Sequence, residues 1–212
     1  YVWVGDGTQK QPYQCVLSEG TYYLATDLVL KGPPNLKKFG CICIDSDVTL
    51  CLNGHTITII DDRDAFDIRK YIESNPPTLT LTDCKNSGQI THGTTTGGTK
   101  YLGNGVSLHQ SCNFIMYGGS ITGNTTTGGE NTTWRSGGVW VRDNSTFTMY
   151  GGSITGNNAG NGGGVYANGS FIVSGAVQIT ENKQGTSVSN VYLRSGKTIT
   201  IGTDHLSSNA SI

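Results

Sequence analysis

Charge is scarce in this chain. Asp, Glu, Lys and Arg make up 14% of its 212 residues, against about 25% in an ordinary soluble domain, and the formal net charge is −1. Such a chain has no basic footprint, which argues against a nucleic-acid partner. Long apolar runs are also missing, so the sequence offers no membrane-spanning helix. The opening "YVWVGDGTQK" has neither the basic region nor the long apolar stretch of a signal peptide. The expectation is that a leader has been removed or that the segment comes from a longer chain. Proline is sparse, at 5 residues, and glycine follows no Gly-X-Y period, which excludes collagen. No C-x-x-C occurs, which leaves a zinc ribbon or thioredoxin-type centre poorly supported. No helical stripe of three turns is found.

Glycine is what the chain has in excess, with 31 residues, about twice the usual share. The 6 cysteines, at 15, 41, 43, 51, 84 and 112, all fall in the first 112 residues. Cys41 and Cys43 share a face in an extended strand. Two readings stand: cysteines buried in a core, or one or two disulfides in an exported protein.

The second half repeats itself. "FIMYGGSITGN" at 114–124 returns as "FTMYGGSITGN" at 147–157. A third copy, "GGGVYANGSFIVSGAVQITEN", covers 162–182, and a fourth begins at Val188. The longer offset between the first two copies is one unit plus an insertion around 125–135. Each unit holds short alternating runs separated by Gly and Asn, the signature of strands. The apolar positions recur in rows: Val106, Val139, Val165, Val191; Phe114, Phe147, Phe171; Met116, Met149, Val173; Ile121, Ile154, Ile179. Rows of this kind stack inward, about 4.8 Å apart, in a parallel β-solenoid. Gly118–Gly119 and Gly151–Gly152 suit corners. Asn124, Asn157 and Asn182 fall at one turn, where amides can form a ladder. The first hundred residues carry a looser version in "GTYYLATDLVLKG", "CICIDSDVTLCLNGHTITII" and "TLTLTDCKNSGQITHG". The run "DDRDAFDIRKYIE" at 61–73 is expected to form a turn or two of helix on a loop.

With these words on the page, "VTLCLNGHTIT", "TLTLTDCKNSGQIT" and the Gly-Gly-Val units, the chain resembles exported right-handed parallel β-helix proteins of the pectate-lyase-like superfamily, seen on bacterial surfaces. It also looks like adhesin and polymorphic outer-membrane protein repeats. The resemblance implies an all-β fold: one domain over 1–212, a single right-handed parallel β-helix of about seven to eight coils. Residues 1–100 form its irregular coils and 101–212 its regular ones, with an inserted loop at 125–135. It implies a secreted or cell-surface location and says little about activity, because this fold hosts lyases, hydrolases, adhesins and passive stalks.

Enzymes of the resembled group use carboxylate clusters. The one dense charge cluster puts Asp61, Asp62, Asp64 and Asp67 beside Arg63, Arg69 and Lys70. Two carboxylates at suitable separation serve glycoside hydrolysis, and carboxylate oxygens can hold Ca²⁺. The bland reading is a solvated loop whose acids and bases pair. "GNGGGV" at 160–165 imitates a dinucleotide fingerprint, but no helix follows and the repeat explains it. His109 and Cys112 have no second pair to complete a metal shell.

A surface feature emerges from the outward positions. Ser107, Trp140, Tyr166 and Tyr192 align on consecutive units, with Tyr117 and Tyr150 as a shorter pair on the next strand. Aromatic faces offer platforms for sugar rings. Trp134, at the end of the insertion, is placed to overhang the row. The bland reading is side-to-side packing between strands. The N-x-S/T sequons at Asn124, Asn131, Asn144, Asn168 and Asn209 suggest surface positions.

The expectation is therefore a non-catalytic exported surface module for adhesion or glycan binding, or a rigid spacer, whose partner is a glycan or a cell-surface ligand. One alternative is a polysaccharide lyase or glycoside hydrolase using the acids of 61–73. Another is a subunit of a surface filament that self-associates through its solenoid ends.

Overall fold

The computed structural model describes residues 2–4, 14–31, 40–70, 75–126 and 136–212; at 2–4 and 14–15 only the backbone is described. Trp134, Asn131, most of the 125–135 insertion and the 71–73 end of the acidic run lie outside the described residues. The described residues form strands and turns, with no helix long and apolar enough to cross a membrane.

The chain is all-β and visits three parallel sheets in rotation, an arrangement compatible with a parallel β-helix. One, the valine sheet, stacks Gln14–Leu17, Ile42–Ile44, Phe66–Ile68, Val106–Leu108, Val139–Val141, Val165–Ala167 and Val191–Leu193. Val2–Val4 pairs antiparallel on its first strand. The phenylalanine sheet stacks Gly20–Tyr23, Val48–Cys51, Thr78–Thr82, Asn113–Met116, Thr146–Met149, Ser170–Gly175 and Ile199–Leu206. The isoleucine sheet stacks Leu28–Leu30, Thr56–Ile59, Gln89–His92, Ser120–Thr122, Ser153–Thr155 and Gln178–Thr180. A small fourth sheet begins with Thr125–Thr126 and Asn158–Ala159.

The register explains why the sequence repeats. Val106 pairs with Val139, Val139 with Val165, and Val165 with Val191. Phe114 meets Phe147 and Phe147 meets Phe171, with ring centroids 4.9 and 5.1 Å apart. Ile90, Ile121, Ile154 and Ile179 follow one another in the third sheet. All of these except Val191, which is half-buried, are essentially sealed from solvent. No unit could bury its own row; stacked, each buried Phe or Ile contributes roughly 1.5–3 kcal/mol.

The Asn turn is an amide ladder inside the structure. The backbone N–H and Nδ2 of Asn124 both donate to Oδ1 of Asn157, at 3.0 Å each. Asn157 does the same to Asn182, at 3.1 and 2.9 Å. Asn182 repeats it on Asn190. Each ladder amide also donates to the carbonyl of the isoleucine one coil back: Ile90, Ile121 and Ile154. The ladder ends on His92, whose Nδ1 lies 2.7 Å from Asn124 Oδ1 and whose Nε2 lies 2.6 Å from the Arg63 carbonyl. Asn124 is thus fully buried, and Asn168 is 8% exposed, which corrects the surface expectation for those two sequons; Asn144 and Asn209 are exposed.

The acidic run holds no helical turn in its described part. It contains the strand Phe66–Ile68, paired to Ile42–Ile44 on one side and Val106–Leu108 on the other. Phe66 and Ile68 fill inward rows, and a ladder on both edges outweighs the weak local preference of the Asp-rich stretch.

Candidate functional site

The four carboxylates of the acidic run each hold the coil in place. Asp61 accepts from the N–H of Asp62 and pairs with Arg63 at 3.1 Å. Asp62 accepts from the N–H of Leu102, and Asp64 from both the N–H and Nδ2 of Asn104. Asp67 sits on the outer side of the valine sheet with its side chain 2% exposed, bonded to Arg69, to His109 at 3.0 Å and to the N–H of Gly40. Burial alone would push its carboxyl up, but the bonds from His109 and Arg69 outweigh burial and hold it below the usual carboxylate range. Among the described residues no group of three or more His, Cys, Asp or Glu side chains is placed to hold a metal ion.

The outward column of the same sheet runs Cys43, Asp67, Ser107, Trp140, Tyr166, Tyr192. The aromatic residues are consecutive, yet they do not form an open platform. Tyr166 is fully buried, and its ring stacks on Tyr192 at 4.9 Å. The guanidinium of Arg142 covers the Trp140 ring, 3.9 Å from its centroid. Tyr166 is sealed from solvent, so a sugar ring finds no free face on it. Burial raises the Tyr166 hydroxyl above its ordinary value.

The pair on the phenylalanine sheet is differently placed. Tyr117 and Tyr150 stack with centroids 4.9 Å apart and planes within 10°, and Tyr117 is 54% exposed. Each is followed by the Gly-Gly corner into the isoleucine sheet. Gly119 and Gly152 have φ of +82° and +83°, the left-handed region that L side chains avoid. A Cβ at Gly152 would come within 2.6 Å of the Gly119 carbonyl. The bare corners leave a shallow groove of about 310 Å³ along the edge between the two sheets.

The walls of this groove are neutral and hydrogen-bonding. Gln89, Ser120, Ser153 and Gln178 form one column on four successive strands of the isoleucine sheet. Ser153 donates to Ser120 at 2.9 Å, and Gln178 donates to the carbonyl of Asn209. Asn86, Ser87 and Gly88 form the rim. Buried Asp83 shapes that rim, accepting the N–H of Gly88 at 2.6 Å and of Gly54 at 2.7 Å. None of the lining residues is charged. Such a wall matches a ligand that both donates and accepts hydrogen bonds and carries no charge.

Sequence reasoning singled out Tyr117 and Tyr150 but not the Ser/Gln column beside them. The available signal was the serine in each "GGSIT", at an outward position directly after a corner. Comparison with protein-family models, with curated proteins and with solved structures gives no match for this chain.

Proposed function

We propose that the chain is a non-catalytic, exported surface module, a single right-handed parallel β-helix of seven coils, that binds a neutral glycan along the Gly119–Gly152 groove. The observation that carries the reading is the stacked Tyr117–Tyr150 pair, two residues ahead of the groove-lining Gly119 and Gly152, together with the uncharged Ser/Gln column of the groove wall. Aromatic rings supply apolar surface to the C–H face of a sugar, while hydroxyls and amides meet its alcohols. The coil count is supported by the seven strands of the phenylalanine sheet, and the hand by the near-universal right-handed crossover between parallel strands. The non-catalytic reading is supported by the engagement of Asp61, Asp62, Asp64 and Asp67 in bonds between and within coils. An exported, pectate-lyase-like or adhesin-type relationship rests on the resemblance of the repeats.

The test is a titration with a panel of neutral oligosaccharides. The wild type is expected to retain at least one of them, and Tyr117→Ala with Tyr150→Ala to weaken retention about tenfold or more, the equivalent of one lost aromatic stack of roughly 1.4 kcal/mol. Equal retention by the double variant removes this site, and no retention by the wild type on any neutral glycan removes the function.

A further inference from the structure

Cys51 closes the strand Val48–Cys51 on its outer face, and Cys84 follows the next strand of the same sheet, Thr78–Thr82. The register pairs Cys51 with Thr82, so the turn after Thr82 carries Cys84 back over Cys51 from the neighbouring coil. Their sulfurs lie 2.7 Å apart, although the residues are 33 positions apart in sequence. Two unbonded sulfurs do not normally pack so closely. The Cys84 N–H also points at Cys51 Sγ, at 3.5 Å. Cys84 is exposed and Cys51 half-buried, so a small oxidant reaches them from solvent. They differ in this from Cys112, a buried thiol that desolvation pushes up to about 11.

We propose that Cys51 and Cys84 are a disulfide-forming pair that staples two adjacent coils. The two thiols differ in readiness. Burial would raise Cys51, but hydrogen bonds from the Cys84 thiol and N–H outweigh it and hold Cys51 below the ordinary thiol value. The hydrogen bond with Cys51 raises Cys84. Cys51 is therefore the attacking thiolate. With a small disulfide as oxidant, the Cys51 thiolate attacks one of its sulfurs and expels one thiolate, leaving a mixed disulfide on Cys51. Cys84, losing its proton to water, then attacks Cys51 Sγ and expels the second thiolate. The protein loses two protons and two electrons, and the small disulfide, taking them up, is reduced to two thiols.

The bond would fall in the irregular first half, whose described residues lack the Asn ladder that joins later coils from Asn124 onward. It would clamp the rim of the groove as well, because Asn86 and Ser87 lie two and three residues after Cys84. The closed loop of 33 positions is long enough for a cross-link to restrict the unfolded chain substantially.

The experiment equilibrates the folded protein with oxidised glutathione, blocks remaining thiols, and maps tryptic peptides without reduction. The expected product joins the peptides 39–63 and 71–85, with fragment ions placing the bond on Cys51 rather than Cys41 or Cys43. Cys84→Ser, an exposed position, is expected to remain folded and to abolish that species. Melting of the wild type is expected to fall by roughly 10 °C on reduction, and that of Cys84→Ser to be insensitive to reductant. Alkylation of Cys51 and Cys84 as free thiols after oxidation, or a bond from Cys84 to another cysteine, would overturn the proposal.

Discussion

A single oxygen, Oδ1 of Asn157, accepts two hydrogen bonds from Asn124, one from its backbone N–H and one from its side-chain amide, both at 3.0 Å. The amide nitrogen of Asn157 then donates onward to Asn182 Oδ1 at 2.9 Å and back to the Ile121 carbonyl at 2.9 Å. Each side chain is thus both receiver and sender between neighbouring coils, and buried polar groups of the turn find partners without water.

Asn157→Ala breaks that chain in its middle. Two donors of Asn124 and the Ile121 carbonyl lose their partner in a buried site, where each unsatisfied group costs about 1–3 kcal/mol. The expected loss, allowing for relaxation, is about 3–5 kcal/mol in urea unfolding. A loss below about 1 kcal/mol would show that the ladder is ornamental to stability.

Substitution separates close-packed glycines from those in open turns. A Cβ on Gly138 would press on the Gly164 carbonyl at the start of the next coil and on the Ile154 side chain of its own coil. Gly138→Ala is expected to cost more than about 3 kcal/mol or to prevent folding. Gly97→Ala, whose nearest neighbour atom would be 3.8 Å away on an exposed turn, is expected to stay within about 0.5 kcal/mol of the wild type. Thermal melts of the two variants side by side are the measurement.

The Asp67–Arg69–His109 contact predicts acid sensitivity with a definite sign. The folded carboxyl of Asp67 lies below its unfolded value, so the folded state takes up its proton less readily. Its contribution is complete above the unfolded value of about 4 and is lost as pH falls through the folded value beneath it. Urea midpoints are expected to decline below about pH 4, and Asp67→Asn, though less stable at neutral pH, to show a shallower decline. An identical slope in both proteins would remove Asp67 as the source.

Trp140 offers a control for the binding proposal. Its ring is covered by Arg142, a contact worth about 0.5–1 kcal/mol where exposed. Trp140→Ala is expected to lower stability by about 1–2 kcal/mol and to leave glycan retention unchanged. Loss of retention in this variant, with Tyr117→Ala unaffected, would move the site to the valine sheet.

Much of the architecture is legible in the chain because the repeat offers the same test several times. The rows headed by Val139, Phe147 and Ile154 are spaced so that only parallel stacking buries them all, and the pairing runs along those rows. The stretch 61–70 was illegible for a physical reason: its Asp residues satisfy backbone donors of the neighbouring coil, such as Leu102 and Asn104, that are far away in sequence. A cluster that reads as a charged loop is therefore partly a strand with its acids turned to structural use.

The inward pattern, the corners and the Asn turn were determined by the sequence alone, because alternation and left-handed glycines are local properties that recur with the repeat. Which outward residues reach solvent was decided by tertiary structure. Tyr166 and Tyr117 stand at equally outward positions, yet one is sealed and the other 54% exposed. Exposure depends on what packs over a strand from elsewhere in the chain. The same holds for Cys51 and Cys84, which nothing in their spacing singles out among the cysteines, and which meet because a turn on one coil crosses the strand of the coil before it.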